Sequence, residues 1–229
     1  MIRPGDDPTL SIRVAELDDA AGIGRVQIAS VHGGLTAVAL DDGDAEDDVL
    51  DIGDDGFADI RAAAFWADII VSTENVVLVA IHTPPESPED TEAQPQERVV
   101  GFIAFGPPRM TGEEGEDEES ESSLDSDIDA EIHALHVEPG FRGRGLARGL
   151  MAAAFRAMAA VNQLAVRAWA LADDSDAESF FRHFGATPTV QALALIGDDE
   201  IPETAYDWVD IRRVIPRLDN PGDSSSPKI

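Results

Sequence analysis

Residues 130–158 have the types and spacing that could bind an anion. They read AEIHALHVEPGFRGRGLARGLMAAAFRAM. The first part, Glu131 to Val137, is predicted to be extended, and Pro139 and Gly140 interrupt it before a glycine-containing loop. A helix is predicted from about residue 146, because apolar residues then recur at a spacing of four: Leu146, Leu150, Ala154 and Met158. The segment therefore predicts a strand, a glycine-rich turn and a helix in succession.

A strand-to-helix turn of this kind can bind phosphate. The first turn of a helix has backbone N–H groups without intrahelical partners, and the helix dipole adds partial positive charge there. Glycines let a ligand approach the backbone closely because they have no Cβ. Three arginines flank this turn, although the chain has only 16 basic residues against 46 acidic ones: Arg142, Arg144 and Arg148. We therefore expect the turn to bind a phosphate-containing ligand.

Two common phosphate-binding motifs do not fit the turn. A nucleoside-triphosphate loop needs a lysine and a serine or threonine after its glycines, and a dinucleotide fold needs G-x-G-x-x-G. The pattern present is V-x-P at Val137 and Pro139, followed by R-x-x-G-x-A at Arg142, Gly145 and Ala147. A lone R-x-x-G-x-A would indicate only an ordinary turn. Strand, V-x-P, R-x-x-G-x-A and helix in this order resemble the acetyl-CoA-binding segment of the GCN5-related N-acetyltransferase (GNAT) family.

The resemblance implies a fold and a cofactor site. The fold is α+β in three layers, with a mixed, mostly antiparallel central sheet of about seven strands and about four helices. In this family strands four and five part like a V, and the pantetheine arm of acetyl-CoA lies between them, while residues matching 142–147 hold its diphosphate. The expected cofactor-binding residues are Leu135, His136, Val137, Arg142, Gly143, Arg144, Gly145, Leu146, Ala147, Arg148, Asp174 and Phe181.

The resemblance also implies catalytic groups on the fourth strand. Glu131 stands where the family often carries a glutamate that takes a proton from the amine, directly or through water. A histidine can share this role near neutral pH, which makes His133 the second candidate. Simple alternation would put both side chains on the same face as Leu135 and Val137, and His136 on the other face. Either histidine could instead be a hydrogen-bonded structural group or a wall of the pocket.

The leaving-group position departs from the family pattern. The family commonly has Phe-Tyr in the helix after strand five, where the tyrosine protonates the leaving thiolate, but Phe180 and Phe181 stand here. Asp174 likewise stands where an asparagine is common. Since a thiol has a pKa near about 8.5, a thiolate can leave without an obligatory acid. Tyr206 is the single tyrosine of the chain, but no pattern in the sequence places it near the sulfur.

Composition and charge exclude several classes of protein. The 229 residues suit one α/β domain with insertions, and the absence of cysteine excludes disulfides, thiol nucleophiles and cysteine-based metal sites. A net charge of −30 argues against a nucleic-acid partner. There is no apolar run of membrane-spanning length and no N-terminal signal pattern, so we expect a cytoplasmic protein with no metal site. The negative charge could attract a cationic amine, or it could be surface adaptation to salt.

The remaining periodicities predict the order β-α-α-β-β-β-α-β-α-β-β. The strands are expected at 12–14, 76–81, 99–105, 131–137, 164–171, 190–196 and 206–214. The other helices are expected at about 19–31, at 58–70 and from a capping box at Ser175 and Glu178 to residue 184. We expect one domain over 1–217 with acidic insertions near 41–56, 84–97 and 111–129. A disordered tail is expected to begin near Pro216 and to cover 218–229.

Two features leave alternatives open around the acceptor. Residues 111–129 contain ten carboxylates and no lysine or arginine, so they could form an acidic lid over a cationic acceptor or a solvated insertion. Phe65 and Trp66 in the second helix could line an acceptor pocket or pack in the core.

The sequence therefore predicts an N-acetyltransferase that moves an acetyl group from acetyl-CoA to a primary amine by direct attack in a ternary complex. Acetyl-CoA and an amine are the expected partners, and a homodimer is left open. One alternative is an acyl-CoA-binding module with little or no turnover, which Phe181 motivates. A further alternative is an interaction protein that has lost its cofactor site.

Overall fold

The computed structural model describes residues 7–31, 55–85, 96–109, 127–196 and 199–219. Its strands are β1 (Leu10–Val14), β2 (Val76–His82), β3 (Arg98–Gly106), β4 (Ala130–Val137), β5 (Val166–Leu171), β6 (Thr187–Ile196) and β7 (Asp199–Trp208). Its α-helices are α1 (Ala20–Val31), α2 (Asp55–Val71), α3 (Leu146–Ala160), α4 (Ser175–His183) and α5 (Ile215–Asp219). Most of each predicted acidic insertion lies outside the described residues.

The seven strands form one sheet in the order β1-β2-β3-β4-β5-β7-β6. Only β4 and β5 run parallel, and every other neighbouring pair is antiparallel. The predicted mixed, mostly antiparallel sheet of seven strands is therefore confirmed. The described residues contain five α-helices, one more than the predicted four.

Helices cover both faces of the sheet and make the three-layer core. On one face α3 buries Leu150 and Phe155 completely. On the other face Ile23 of α1 and Trp66 of α2 pack against the sheet, and the indole of Trp66 donates to Gln27 Oε1 at 2.7 Å. Complete burial of a large apolar side chain stabilises a fold by about 1.5–3 kcal/mol. Trp66 is 1% exposed, so of its two predicted roles the core role is the one that the structure supports.

The middle strand β4 contains a bulge at His133. The residues before and after His133 pair with two successive residues of β3, so His133 itself has no partner there. A bulge inserts one residue and so reverses the alternation of faces. Both neighbours of Glu131 pack on the α3 side, whereas after the bulge it is Leu135 and Val137 that do so. The prediction that Glu131 shares a face with Leu135 and Val137 is therefore wrong.

The C-terminal part also differs from the prediction. The last strand ends at Trp208 rather than at residue 214, and a 3-10 turn at Ile211–Arg213 leads into α5. Leu218 of α5 is 3% exposed and belongs to the core around α3. Residues 216–219 are therefore helical, and the prediction of disorder from Pro216 is wrong for them. The rest of the predicted tail, 220–229, lies outside the described residues.

Candidate active site

The two strands β4 and β5 pair only at their beginnings. Parallel pairing runs from Ala130 with Val166 to Ile132 with Ala168, and no later pair joins the two strands. On its other side β4 stays paired with β3 as far as Val137. The strands thus part after Ile132, as the family resemblance implies for strands four and five. The edge of β4 that faces β5 consequently has no strand partner beyond that point.

A cavity of about 450 Å³ adjoins the separated part of β4. Every residue predicted to bind the cofactor lines it except Arg144, whose guanidinium carbon lies 4.8 Å from the centre of the Phe141 ring. The lining residues that the sequence did not indicate are Ser30, Phe141, Asp176, Ala177, Phe180 and Phe184. The structure thus brings the predicted residues together, and their binding of a cofactor stays a prediction.

The turn before α3 has the geometry of an anion site. Gly145 is the N-cap of α3 with φ of 78°, and the first turn of the helix contains no acidic residue. The Gly149 N–H donates to the Gly145 carbonyl at 2.9 Å, so the N–H groups of residues 146–148 have no intrahelical partner. A Cβ built on Gly143, which has φ of 75°, would meet no heavy atom within 4 Å. With Arg142 and Arg148 lining the same cavity, this space can hold an anion.

His136 is buried in the cavity wall and is neutral at pH 7. Its Nδ1 lies 2.7 Å from Ser30 Oγ, which also donates to the Gln27 carbonyl at 2.8 Å. Since that hydroxyl proton is used, we infer that Nδ1–H donates to Ser30 and that Nε2 is left as an acceptor. The pKa of His136 is lowered to about 4, chiefly by burial; the charge of Asp174 opposes this effect, and the charge of Arg142 adds to it.

Glu131 lies outside the cavity lining, in a cluster of polar side chains on the opposite face of the sheet. Its side chain is 2% exposed, Oε1 lies 3.0 Å from Arg109 Nε, and Oε2 accepts from Trp169 Nε1 at 3.2 Å. Arg109 also donates to Glu203 Oε2 at 3.1 Å. His133 Nδ1 is 3.5 Å from Glu131 Oε1 and is buried without a hydrogen-bond partner. We call these five residues the Glu131 cluster.

The sequence indicated only two members of the Glu131 cluster. Arg109, Trp169 and Glu203 belong to no motif, and they stand 22, 38 and 72 residues from Glu131 along the chain. They meet only because β4, β5 and β7 are neighbours in the sheet and the end of β3 lies beside β4. A weak signal was available, since a lone arginine at the end of an apolar strand in such an acidic chain is unusual.

The helix α4 supplies the far wall of the cavity and carries Asp174 at its start. Asp174 Oδ1 accepts from the Ala177 N–H at 2.9 Å, which makes Asp174 the N-cap. The predicted capping box of Ser175 and Glu178 is therefore wrong, because the N-cap lies one residue earlier, at Asp174. Asp174 thus has a structural role as well as a place in the cavity lining.

Phe181 lines the cavity where the family commonly has a tyrosine, and it is packed among aromatic rings. Its ring meets Trp208 edge-on at 5.6 Å and lies 5.8 Å from Tyr206. Tyr206 is 3% exposed and does not line the cavity. Its hydroxyl interacts with Glu178 and Arg182, and burial raises its pKa. The structure therefore does not bring the single tyrosine to the position where a thiolate would leave.

One family model matches part of the chain. Residues 80–186 match the model of the acetyltransferase (GNAT) family, and this range runs from β2 to the end of α4 and just beyond. The resemblance predicted from V-x-P and R-x-x-G-x-A is therefore confirmed. Among curated proteins, no sequence gives a significant match. None of the helices in the described ranges is both long and apolar enough to span a membrane.

Solved structures share the fold at low sequence identity. YncA from Salmonella typhimurium, solved with acetyl-CoA, is 18% identical with a TM-score of 0.52, covering 87% of this chain and 92% of its own. The PaiA N-acetyltransferase from Thermoplasma acidophilum, solved with coenzyme A, is 14% identical with a TM-score of 0.51, covering 85% and 97%. NAA60 from Arabidopsis thaliana, solved with a bisubstrate analogue, is 13% identical with a TM-score of 0.54, covering 87% and 97%.

Proposed function

We propose that this chain, whose residues 80–186 match the acetyltransferase (GNAT) family model, moves an acetyl group from acetyl-CoA to a primary amine. The transfer is a direct attack in a ternary complex. The observation that carries the proposal is the separation of β4 from β5 beside a cavity that ends at the cationic first turn of α3. A free strand edge suits an extended amide-containing arm, and a helix N-terminus suits its diphosphate.

The cavity residues divide the binding of acetyl-CoA between them. The N–H groups at the start of α3, together with Arg142 and Arg148, would hold the diphosphate, and the space beside Gly143 admits it. The backbone of Leu135 to Val137 would pair with the pantetheine arm. When bound, acetyl-CoA supplies an activated acetyl thioester and a thiolate leaving group. Positioning two reactants in this way can supply much of the catalysis, with effective molarities of about 10⁵–10⁸ M.

Glu131 and His133 are the groups proposed to take the proton from the attacking amine. Glu131 stands at the end of the paired part of β4, next to the point where the strands part. Oε2 accepts a hydrogen bond from Trp169, and Oε1 is in ion-pair contact with Arg109 without a hydrogen bond from Nε. The proton would therefore pass to Oε1 through a water molecule, or His133 would take it. Catalytic hydrogen bonds often tighten only when the substrate is bound, which keeps the 3.5 Å contact between Glu131 and His133 relevant.

A second candidate function rests on Phe181. Its ring has no proton to give to a departing thiolate, and Tyr206 behind it is engaged with Glu178 and Arg182. A thiol pKa near about 8.5 makes an acid dispensable for a transferase. If an acid is nevertheless needed in this site, the chain would bind an acyl-CoA with little or no turnover.

The first experiment separates these two functions. Full-length protein is mixed with acetyl-CoA and a panel of primary amines, and free thiol and the mass of the amine are followed together. An acetyltransferase releases one thiol for each amine that gains an acetyl group. Saturable acetyl-CoA binding by calorimetry, with no thiol release for any amine, would instead support the binding module.

The second experiment tests the proposed diphosphate site through Arg142. Replacing Arg142 with Glu puts a negative charge into the cavity, so we expect acetyl-CoA affinity to fall about a hundredfold or more, since opposite charge becomes like charge at contact distance. Arg144→Glu changes the charge by the same amount two residues away, but outside the cavity lining, and should cause a smaller loss. Equal losses in both variants would count against a specific role for Arg142.

A further inference from the structure

The Glu131 cluster joins four neighbouring strands of the sheet through one guanidinium. Arg109, three residues beyond β3, contacts Glu131 of β4 through Nε at 3.0 Å and Glu203 of β7 through Nη2 at 3.1 Å. The same guanidinium carbon lies 4.7 Å from the centre of the Trp169 ring of β5. Trp169 in turn donates its indole N–H to Glu131. Glu131 is therefore held by a hydrogen bond from Trp169 and by an ion-pair contact with Arg109, whose Nε makes no hydrogen bond.

The charges of the cluster do not balance without Arg109. Glu131 and Glu203 have side chains only 2% and 7% exposed, and one guanidinium is shared between them. Within the described ranges, the other charged or titratable groups facing the cluster are His133 of β4, Arg167 of β5 and Asp207 of β7. Arg167 forms a bidentate ion pair with Asp207, with Nε 2.9 Å from Oδ1 and Nη2 3.0 Å from Oδ2, so it cannot replace Arg109.

The pKa of Glu203 responds to burial and to both charged neighbours. Burial raises the pKa of Glu203, the charge of Arg109 lowers it, and the charge of Glu131 raises it. Two buried carboxylates that share a site cannot both stay ionised easily unless a cation lies between them. Removing the cation would therefore leave two like charges side by side and release Glu131 from its place.

We propose that Arg109 is a positioning residue for the acetyl transfer, which holds the Glu131 carboxylate in place beside the point where β4 and β5 part and gives it a positive charge to face, and that Glu203 anchors Arg109 from β7. This role rests on the proposed function, because Glu131 matters only if an amine must lose a proton. Arg109 acts through Glu131 and needs no contact with either substrate. This positioning role also explains why an arginine, Arg109, follows the apolar strand β3 in a chain with 46 acidic residues.

A spectroscopic test measures the titration of the Glu131 cluster and does not require turnover. The Trp169 indole N–H of ¹⁵N-labelled full-length protein, assigned by its loss in Trp169→Phe, is followed between about pH 4.5 and 8.5. In Arg109→Gln the pH midpoint of the Trp169 indole signal should lie at least about one unit above that of the wild type, because the pKa of a carboxylate that loses an adjacent cation rises by about 1–3 units. In Glu203→Gln the midpoint should lie no higher than in the wild type, because a like charge has been removed. Arg212→Gln, an exposed arginine paired with Asp210, is the control for the change in total charge and should leave the midpoint unchanged.

A kinetic test measures the effect of Arg109 on catalysis through the pH dependence of kcat/KM. In Arg109→Gln the acid side of the kcat/KM profile should shift upward by the same amount as the indole midpoint, which lowers the rate about tenfold there for each unit. Arg109→Lys keeps one cation and should recover part of the loss; it also replaces Arg109→Gln in both tests if that variant does not fold. Arg109→Gln/Glu203→Gln should recover part as well, because only one carboxylate remains.

The outcomes separate the inference from the proposed function. An indole midpoint that is the same in Arg109→Gln and the wild type overturns the positioning role, as does lower thermal stability with an unshifted rate profile. If the wild type acetylates no amine, the proposed function fails, and the catalytic part of the inference fails with it. The indole titration would then still decide whether Arg109 sets the charge of the cluster.

Discussion

Glu131 is the residue whose replacement should separate catalysis from binding. Glu131→Gln keeps an oxygen that can accept from Trp169 but loses the ability to take a proton. We expect kcat to fall about 10²- to 10⁴-fold, the usual contribution of a general base, while acetyl-CoA affinity changes little, because Glu131 does not line the cavity. Thiol release gives the first quantity and calorimetry the second.

Two further variants make the Glu131 result specific. Glu200→Gln changes the charge equally at an exposed position of β7 and should leave kcat unchanged. His133→Gln shows whether the imidazole shares the role, in which case both variants lose activity and their effects are not additive. A Glu131→Gln enzyme with the rate and the pH profile of the wild type would exclude Glu131 as the base.

His136 should make the fold less stable in mildly acidic solution. Its pKa is lowered by burial from 6.5 to about 4, so below pH 6.5 the unfolded chain binds a proton that the folded chain refuses. Stability is therefore lost as the pH falls from 6.5 towards 4, and the loss from this group should reach about 2 kcal/mol at pH 5. Urea unfolding at pH 7.5 and pH 5 should show a smaller difference in His136→Gln than in the wild type.

The control for this titration is an exposed imidazole. His183 is exposed near the end of α4, and His183→Gln should leave the difference between the two pH values as it is in the wild type. Since every variant keeps its carboxylates, their own titration cancels in the comparison. If His136→Gln loses as much stability as the wild type between pH 7.5 and pH 5, then His136 is not held neutral by burial.

At the scale of the element, the turn before α3 should tolerate no side chain at residue 143. Gly143 and Gly185 both have positive φ, 75° and 88°, so alanine at either position should cost about 1 kcal/mol or slightly more. A Cβ on Gly143 projects into the open space proposed for the diphosphate, whereas one on Gly185 meets only the Arg217 guanidinium at 3.0 Å. Gly143→Ala should therefore lose acetyl-CoA affinity about tenfold or more, and Gly185→Ala should not.

Thermal unfolding and calorimetry on this matched pair separate strain from contact. Both variants should show a similar fall in Tm, since the backbone strain is similar. If affinity falls equally in both variants, the effect comes from a weakened fold. If affinity is unchanged in both, the diphosphate does not approach Gly143.

The elements predicted correctly are those whose signal is local. The strand, glycine turn and helix from residue 131 onward depend on periodicity and on two short motifs, and the structure places them at Ala130–Val137 and Leu146–Ala160. This segment contains ten of the twelve residues predicted to bind the cofactor, and nine of those ten line the cavity. Arg144 was the exception, because a loop's sequence does not say which of its arginines turns away toward an aromatic ring.

The elements predicted wrongly are those that depend on partners distant in sequence. The bulge at His133 arises from pairing with β3, so strict alternation along β4 could not reveal it. The strand β7 begins with Asp199 to Glu203, which reads DEIPE, shows no apolar alternation, and pairs with the edge strand β6. The helix α5 is only five residues long and is stabilised by packing against α3 rather than by its own propensity.

At the scale of the whole molecule, the cationic turn stands against a strongly negative background. The net charge is −30, yet Arg142 and Arg148 line one cavity with no acidic residue in the first turn of α3. Long-range repulsion would slow the approach of an anionic cofactor, while the local N–H groups and guanidiniums would hold it once bound. Stability and cofactor affinity should consequently respond to salt in opposite directions.

The response of stability to salt should be an increase. Raising potassium chloride from about 0.01 to 0.5 M shortens the Debye length from about 30 Å to a few ångströms, which screens the mutual repulsion of 46 carboxylates. The exposed ion pairs, such as Arg182 with Glu178, would weaken, but each contributes only about 0–1 kcal/mol. We expect a net gain of about 1 kcal/mol, seen as a rise in Tm of about 2–4 °C.

The response of acetyl-CoA affinity to the same salt should be a decrease. Contacts between guanidiniums and a diphosphate are weakened by screening, so Kd by calorimetry should rise as Tm rises, and Arg142→Glu should remove most of that salt dependence. Sucrose provides a control, because it stabilises folded proteins without screening charge and should raise Tm while leaving Kd nearly constant. If Kd instead falls with salt, long-range repulsion outweighs the contacts at the turn, and the first turn of α3 is not where the cofactor's charge is held.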